Sequence, residues 1–149
     1  MTNVFIDGSA GTTGLRIADR LKTRQDIELI RLPEELRKDA GARKEALYSA
    51  DIAFLCLPDA AAVEAVALAG DSAVKIIDTS TAHRTNPDWA YGFPELSAEH
   101  REKIVSSGRI ANPGCHASGF IASVYPLVRH GLLDTGFPLT AYSLTGYSG

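Results

Sequence analysis

The chain has 149 residues, with 15 Lys and Arg against 18 Asp and Glu and a formal net charge of −3 at pH 7. That length suffices for one domain with a real core and falls short of two ordinary ones. Without a basic run, nucleic acid and anionic membrane are disfavoured as partners.

No apolar stretch approaches the roughly 18 residues of a membrane span. Residues 1–8 lack the charged and apolar regions of a signal peptide. The expected compartment is therefore the cytoplasm, where Cys56 and Cys115 are read as separate thiols and not as a disulfide.

In chain order, Val4, Phe5 and Ile6 predict a short strand. Leu15, Ile17, Ala18 and Leu21 then recur at helical spacing. Residues 27–30 predict a second strand, and the polar stretch 34–48 a loop with a short helix. Residues 51–57 form a buried strand stopped by Pro58. Asp59 is placed to cap a helix that runs to Ala69 and ends at Gly70. Residues 74–78 predict another strand. Residues 79–96 break the pattern as a long polar segment, expected to be ordered by its aromatics and prolines. Ser97 is placed to cap a short helix. Residues 109–111 predict a strand, and Asn112-Pro113-Gly114-Cys115 turns into a helix reaching about His130. Residues 139–147 read as a strand running into a turn.

Strands alternating with helices predict an α/β fold, a Rossmann-type doubly wound parallel sheet with right-handed crossovers. The expected division is a dinucleotide-binding domain over 1–138, carrying the nucleophile. The first strand of a second α/β catalytic domain would follow over 139–149, as if the chain were cut near a boundary.

Gly8-Ser9-Ala10-Gly11-Thr12-Thr13-Gly14 lies between the first strand and the first helix. Glycines there permit a tight turn and close approach to a pyrophosphate, and the helix start offers free N–H groups. The spacing is GxxGxxG and not the usual GxGxxG. About twenty residues on, Glu34 and Glu35 suit a ribose hydroxyl, whereas Arg31, Arg37 and Lys38 suit a 2′-phosphate. Spacing alone leaves NAD and NADP both open.

Cys115 opens a predicted helix, where free N–H groups stabilise a thiolate, as a nucleophile requires. Cys56, inside an apolar strand, reads as core. Asp78, Ser80, His83 and Arg84 follow a strand's carboxyl end, the edge where open α/β sheets bind ligands. Arg84 suits a carboxylate or phosphate. His83 reads as a structural histidine, Trp89 as a loop anchor, and His100 and His130 as helix-surface residues. No set of Cys, His and carboxylates has the spacing of a metal site.

These motifs, with Leu55-Cys56-Leu57-Pro58-Asp59, Ile77-Asp78-Thr79-Ser80-Thr81-Ala82-His83-Arg84, Tyr91-Gly92-Phe93-Pro94-Glu95-Leu96 and Asn112-Pro113-Gly114-Cys115-His116, spread in order over most of the chain. In them the chain resembles the shorter form of the N-acetyl-gamma-glutamyl-phosphate reductases of arginine biosynthesis. The related aspartate-semialdehyde dehydrogenases share the glycine loop, but their nucleophile is typically followed by threonines.

The resemblance implies NADP(H) as cofactor and reduction of N-acetyl-glutamyl 5-phosphate to the semialdehyde through a thioester on Cys115. It implies cofactor contacts from Gly8, Ser9, Ala10, Gly11, Thr12, Thr13, Gly14, Leu57, Pro58 and Ser80, and substrate contacts from Arg84 and Asn112. The acid/base histidine would lie beyond Gly149, so the chain alone is expected to bind cofactor without useful turnover, and the longer protein to be a homo-oligomer. The competing readings are a non-catalytic NADP(H)-binding module and a reductase of a related acyl phosphate such as aspartyl phosphate.

Overall fold

The computed structural model describes residues 1–144 and Gly146. The apolar run after Met1 forms β1 (Thr2–Asp7), whose last four residues are buried. It leads through the glycine loop into α1 (Thr12–Leu21) and β2 (Ile27–Ile30). A 3-10 turn (Glu34–Leu36) and α2 (Ala40–Ser49) follow, with the Asp39 carboxylate accepting from the Ala42 N–H at 2.8 Å. Next come β3 (Ile52–Leu55), α3 (Asp59–Ala69) and β4 (Lys75–Asp78). After a long loop the chain forms β5 (Ala90–Tyr91), a second 3-10 turn (Pro94–Leu96), α4 (Ala98–Ser106), β6 (Arg109–Ala111) and α5 (Cys115–Arg129).

All pairings are parallel and the strand order is β2-β1-β3-β4-β6-β5. This is a Rossmann-like fold. The chain leaves β1 toward β2 on one side, then crosses back past β1 to β3. The crevice between the carboxyl ends of β1 and β3 is thus the topological switch point, where such sheets bind ligands.

One face of the sheet carries Phe5, Ala53, Leu55, Ile76 and Ala111. These pack with Ala46 and Leu47 of α2 and with Ala62, Ala65 and Ala69 of α3. The alanines let both helices lie close to the strands. Leu47, Leu55 and Ile76 are fully buried, each contributing about 1.5–3 kcal/mol of apolar burial.

On the same face, Asp7 at the end of β1 meets Arg43 of α2. Arg43 Nε donates to Asp7 Oδ2 at 3.0 Å, and Nη1 reaches Glu64 Oε1 of α3 at 3.2 Å. Burial raises the Asp7 carboxyl above its ordinary range, against the opposing hydrogen bond and charge of Arg43. A carboxyl that is harder to ionise when folded loses stability as pH rises from its unfolded value through its native one. Arg43→Met removes the compensating charge, so at pH 7 it is expected to cost about 3–5 kcal/mol, with a smaller deficit near pH 4. Urea unfolding at both pH values checks this, and a pH-independent deficit would mean that only packing was lost.

Three local expectations are corrected. Asp59 does not cap α3: Pro58 holds the N-cap position, and the Asp59 carboxylate accepts from the Thr81 N–H and hydroxyl at 2.9 and 2.5 Å. Tying down the loop after β4 satisfies two donors that a cap would have left open. The segment expected to be ordered without a strand contains β5, held at the sheet edge by β6. Of the strand expected over 139–147, residues 139–144 carry no regular secondary structure, while Thr145 and Tyr147 lie outside the described residues. A strand needs a neighbour, and no described strand pairs with this segment. Ser97 does cap α4, accepting from the His100 N–H at 3.2 Å.

Candidate functional site

The glycine loop is built by close packing. Gly8 has φ +85°, and a Cβ there would stand 2.2 Å from the Cys56 carbonyl oxygen. Both the left-handed backbone and the contact with the end of β3 therefore require glycine. A Cβ on Gly14 would stand 2.4 Å from the Gly8 carbonyl oxygen, so this glycine lets α1 sit against the loop. Gly11 differs: its nearest neighbour would be the Gly8 oxygen at 3.5 Å, an ordinary contact. The fold leaves space there.

Gly11 is the N-cap of α1 and no side chain caps the first-turn N–H groups of that helix. Beside it opens a cleft of about 590 Å³ whose lining includes Gly8, Ser9, Ala10 and Leu57. Leu15, Ala18, Leu29, Ile30 and Leu32 give it an apolar wall, and Arg31, Glu34, Glu35, Arg37 and Lys38 a charged rim. Uncapped N–H groups, open space at Gly11 and an apolar wall fit a dinucleotide whose phosphates lie at the helix start.

The other expected site residues follow the carboxyl ends of β3, β4 and β6, along the same sheet edge. Leu57 lines the cleft and Pro58 is the N-cap of α3. Ser80 is buried in a polar knot. Asp78, fully buried, accepts from the Ser80 N–H at 3.0 Å and from its hydroxyl at 2.7 Å. His83 Nδ1 lies 2.7 Å from the same carboxylate, and its ring stacks on Trp89 at 4.0 Å. His83 and Trp89 thus anchor the loop, as their sequence positions suggested.

Arg84 spans the turn before α5. Its Nε donates to the Asn112 carbonyl and its Nη2 to the Thr79 carbonyl, both at 3.0 Å. Nη1 packs against Gly114, where a Cβ would stand 2.6 Å away. Asn112 in turn donates its N–H to the Asp78 carbonyl at 2.8 Å. The two strand ends are thereby fastened together immediately before Cys115.

Cys115 is exposed in the first turn of α5, whose N-cap Gly114 supplies no side-chain cap. It does not line the 590 Å³ cleft, so this thiol and the cleft are neighbouring parts of one edge and not one cavity. His116 Nδ1 pairs with the Ser143 hydroxyl, which brings the segment after α5 back to the helix start. Cys56 is half-buried, and desolvation pushes its thiol up to about 11, so it is a poor nucleophile at neutral pH.

Sequence reasoning missed Arg43, which sits in a polar helix with no distinguishing spacing. The available signal was Asp7, a carboxylate on the buried side of an otherwise apolar strand. It also left Asp78 without a role, although a lone acid closing an apolar strand commonly organises the loop that follows. His100, expected on a helix surface, is partly buried, pairing through Nδ1 with the Ser97 hydroxyl and meeting the Tyr125 ring edge-on.

Residues 33–104 match the family model described as semialdehyde dehydrogenase, NAD binding domain. N-acetyl-gamma-glutamyl-phosphate reductase 2 of Nostoc sp. is 53% identical over 98% of this chain and 45% of its own length. The protein of that name in Pseudomonas putida is 54% identical over 98% of this chain and 47% of its own length. The chain spans about half the length of the curated relatives it matches.

Among solved structures, aspartate semialdehyde dehydrogenase from Francisella tularensis superposes with a TM-score of 0.69 at 18% identity, covering 88% of this chain and 42% of that one. The enzyme from Candida albicans, solved with NADP, gives 0.61 at 15% identity, covering 87% and 47%. Over nearly its whole length the chain is a homologue of N-acetyl-gamma-glutamyl-phosphate reductases, and its fold is that of the NAD-binding part of semialdehyde dehydrogenases.

Proposed function

We propose that this chain is the cofactor-binding, nucleophile-bearing part of an NADP-dependent N-acetyl-glutamyl-phosphate reductase. The observation that carries the reading is the uncapped start of α1 over an open cleft, on the same sheet edge as an exposed cysteine at a second uncapped helix start. Both helix starts offer N–H groups to negative charge, one for a pyrophosphate and one for a thiolate or its acyl adduct.

Gly8, Ser9, Ala10, Gly11, Thr12, Thr13 and Gly14 hold the phosphates through main-chain N–H groups. Leu57 and Pro58 bound the ribose and nicotinamide side. Ser80, its hydroxyl engaged by Asp78, contributes through the loop it shapes. Bound NADPH supplies the hydride.

The Cys115 thiolate attacks the acyl carbon of N-acetyl-glutamyl 5-phosphate, the acyl–oxygen bond breaks, and phosphate leaves. The resulting thioester accepts hydride at its carbonyl carbon, and the C–S bond breaks to give the aldehyde and regenerate the thiolate. Arg84, with only Nη1 lacking a carbonyl partner, and Asn112 hold the substrate's charged end at the turn. An acid/base group comes from a second domain, in the part of the relatives' length that this chain does not cover. Exposed Phe120, Leu127, Phe137 and Leu139 support a face covered by that domain and by further copies in a homo-oligomer. No helix among the described residues is long and apolar enough to cross a membrane, which accords with a cytoplasmic biosynthetic role.

The test is direct binding. NADPH fluorescence titrated with the 149-residue chain is expected to rise to saturation and to be reversed by NADP⁺. A chain that folds yet gives no saturable signal contradicts the reading.

A further inference from the structure

We propose that His83 is a positioning residue for the acyl-transfer step: its hydrogen bond to the buried Asp78 carboxylate sets the guanidinium of Arg84 where it grips the substrate. The proposal rests on the roles given to Arg84 and Cys115 above, and adds a residue that acts through Arg84.

Asp78 closes β4 and is fully buried. Its Oδ1 accepts from the Ser80 N–H at 3.0 Å, and its Oδ2 is shared by the Ser80 hydroxyl and His83 Nδ1, both at 2.7 Å. A carboxylate only accepts, so Nδ1 is the donor. The Ser80 hydroxyl in turn accepts from the Ala82 N–H at 3.2 Å. These bonds bend the chain back onto the end of β4. A buried anion is costly unless its hydrogen bonds are made, so the bend is held firmly.

The imidazole has a second anchor. It stacks on the buried Trp89, with 4.0 Å between ring centroids and 11° between planes, just before β5. The His83 carbonyl accepts from the Asn86 N–H and the Asn86 carbonyl from the Trp89 N–H, both at 3.1 Å. Residue 83 is thus fixed from the β4 side and from the β5 side.

Arg84 is the next residue. Its Nε and Nη2 reach the Asn112 and Thr79 carbonyls at 3.0 Å, and Nη1 lies against Gly114. An arginine stem is flexible, so holding its fork in one place requires a fixed main chain beneath it. His83 supplies that fixed point one residue away. The turn before Cys115 is held separately, by the Asn112 N–H on the Asp78 carbonyl at 2.8 Å. That main-chain bond does not depend on the side chain at 83.

The experiment follows phosphate release from N-acetyl-glutamyl phosphate in single turnovers over a range of excess protein concentrations. It yields a maximal rate and a half-saturating concentration for wild type, His83→Phe, His83→Asn, Arg84→Gln and the double variant His83→Phe/Arg84→Gln. Phe keeps a ring on Trp89 and removes the donor, whereas the Asn amide places a donor where Nδ1 stood. Thermal unfolding identifies the folded variants. Arg84→Gln is expected to raise the half-saturating concentration by roughly 10–100-fold, and His83→Phe by about tenfold or more. His83→Asn is expected to return it to within about threefold of wild type. In the double variant the change at 83 is expected to add no more than about twofold to the change at 84. Alkylation of Cys115 by iodoacetamide, which has no anionic end to grip, is expected to stay within about twofold in both His83 variants.

An unaffected His83→Phe chain, multiplying losses in the double variant, equal losses in His83→Phe and His83→Asn, or a parallel fall in alkylation overturns the positioning role and leaves the roles of Arg84 and Cys115 standing. If His83→Phe does not fold, a folded His83→Asn chain with a loss as large as that of Arg84→Gln overturns it alone. A wild-type chain that releases no phosphate, or an Arg84→Gln chain that matches wild type, overturns both this proposal and the role it rests on.

Discussion

Replacing Cys115 by alanine is expected to abolish acyl transfer while leaving NADPH affinity within about twofold. Removal of an essential nucleophile typically costs a factor of ~10³ or more. Phosphate release from N-acetyl-glutamyl phosphate, followed in a single turnover with protein in excess, is therefore expected to fall to the uncatalysed rate. The thiol sits outside the lining of the cleft, which is why cofactor binding should survive its loss. Cys56→Ala serves as the comparison: its thiol is half-buried and pushed up to about 11, so phosphate release should persist. Equal loss in both variants would mean that the effect is structural.

The glycine loop makes the second large prediction, because two of its glycines carry the fold and one leaves room. Gly8→Ala places a methyl group 2.2 Å from a main-chain oxygen at φ +85°. Neither strain can be relieved by a flexible side chain, so a loss of at least about 1–3 kcal/mol is expected, together with loss of NADPH binding. Gly11→Ala meets only an ordinary 3.5 Å contact at an extended backbone position. Its stability cost should stay near or below ~1 kcal/mol, the scale of a changed N-cap. Yet it fills the space where a pyrophosphate would approach, and NADPH affinity is expected to fall by roughly tenfold or more. Thermal unfolding and cofactor titration of the two variants separate fold from ligand. Unchanged affinity in Gly11→Ala would remove the phosphates from that position.

The features legible in the sequence are those with a local cause. Val4 to Ile6, Ile52 to Leu55 and Ile76 read as strands because continuous apolar runs need a sheet covered on both faces. The start of α5 was visible in Pro113-Gly114, and the cap of α4 in Ser97. The pairings that complete the edge were not legible, because they join residues far apart in the chain. Arg43 finds Asp7 36 positions away, and Arg84 finds Asn112 28 positions away. Asp59 was misread for the same reason: its position fits a helix cap, and only the folded loop shows Thr81 competing for the carboxylate. The strand β5 is two residues long and exists through β6 beside it, so no periodicity announced it.

Cys115 is proposed to carry the acyl group. Its most direct test is to mix the chain with N-acetyl-glutamyl phosphate, quench in acid, and map the modified peptide by mass spectrometry. The predicted result is one N-acetyl-glutamyl adduct on Cys115, removed by hydroxylamine as a thioester should be, with Cys56 unmodified. An adduct on His116 or Cys56, or none on a chain that still binds NADPH, would contradict it.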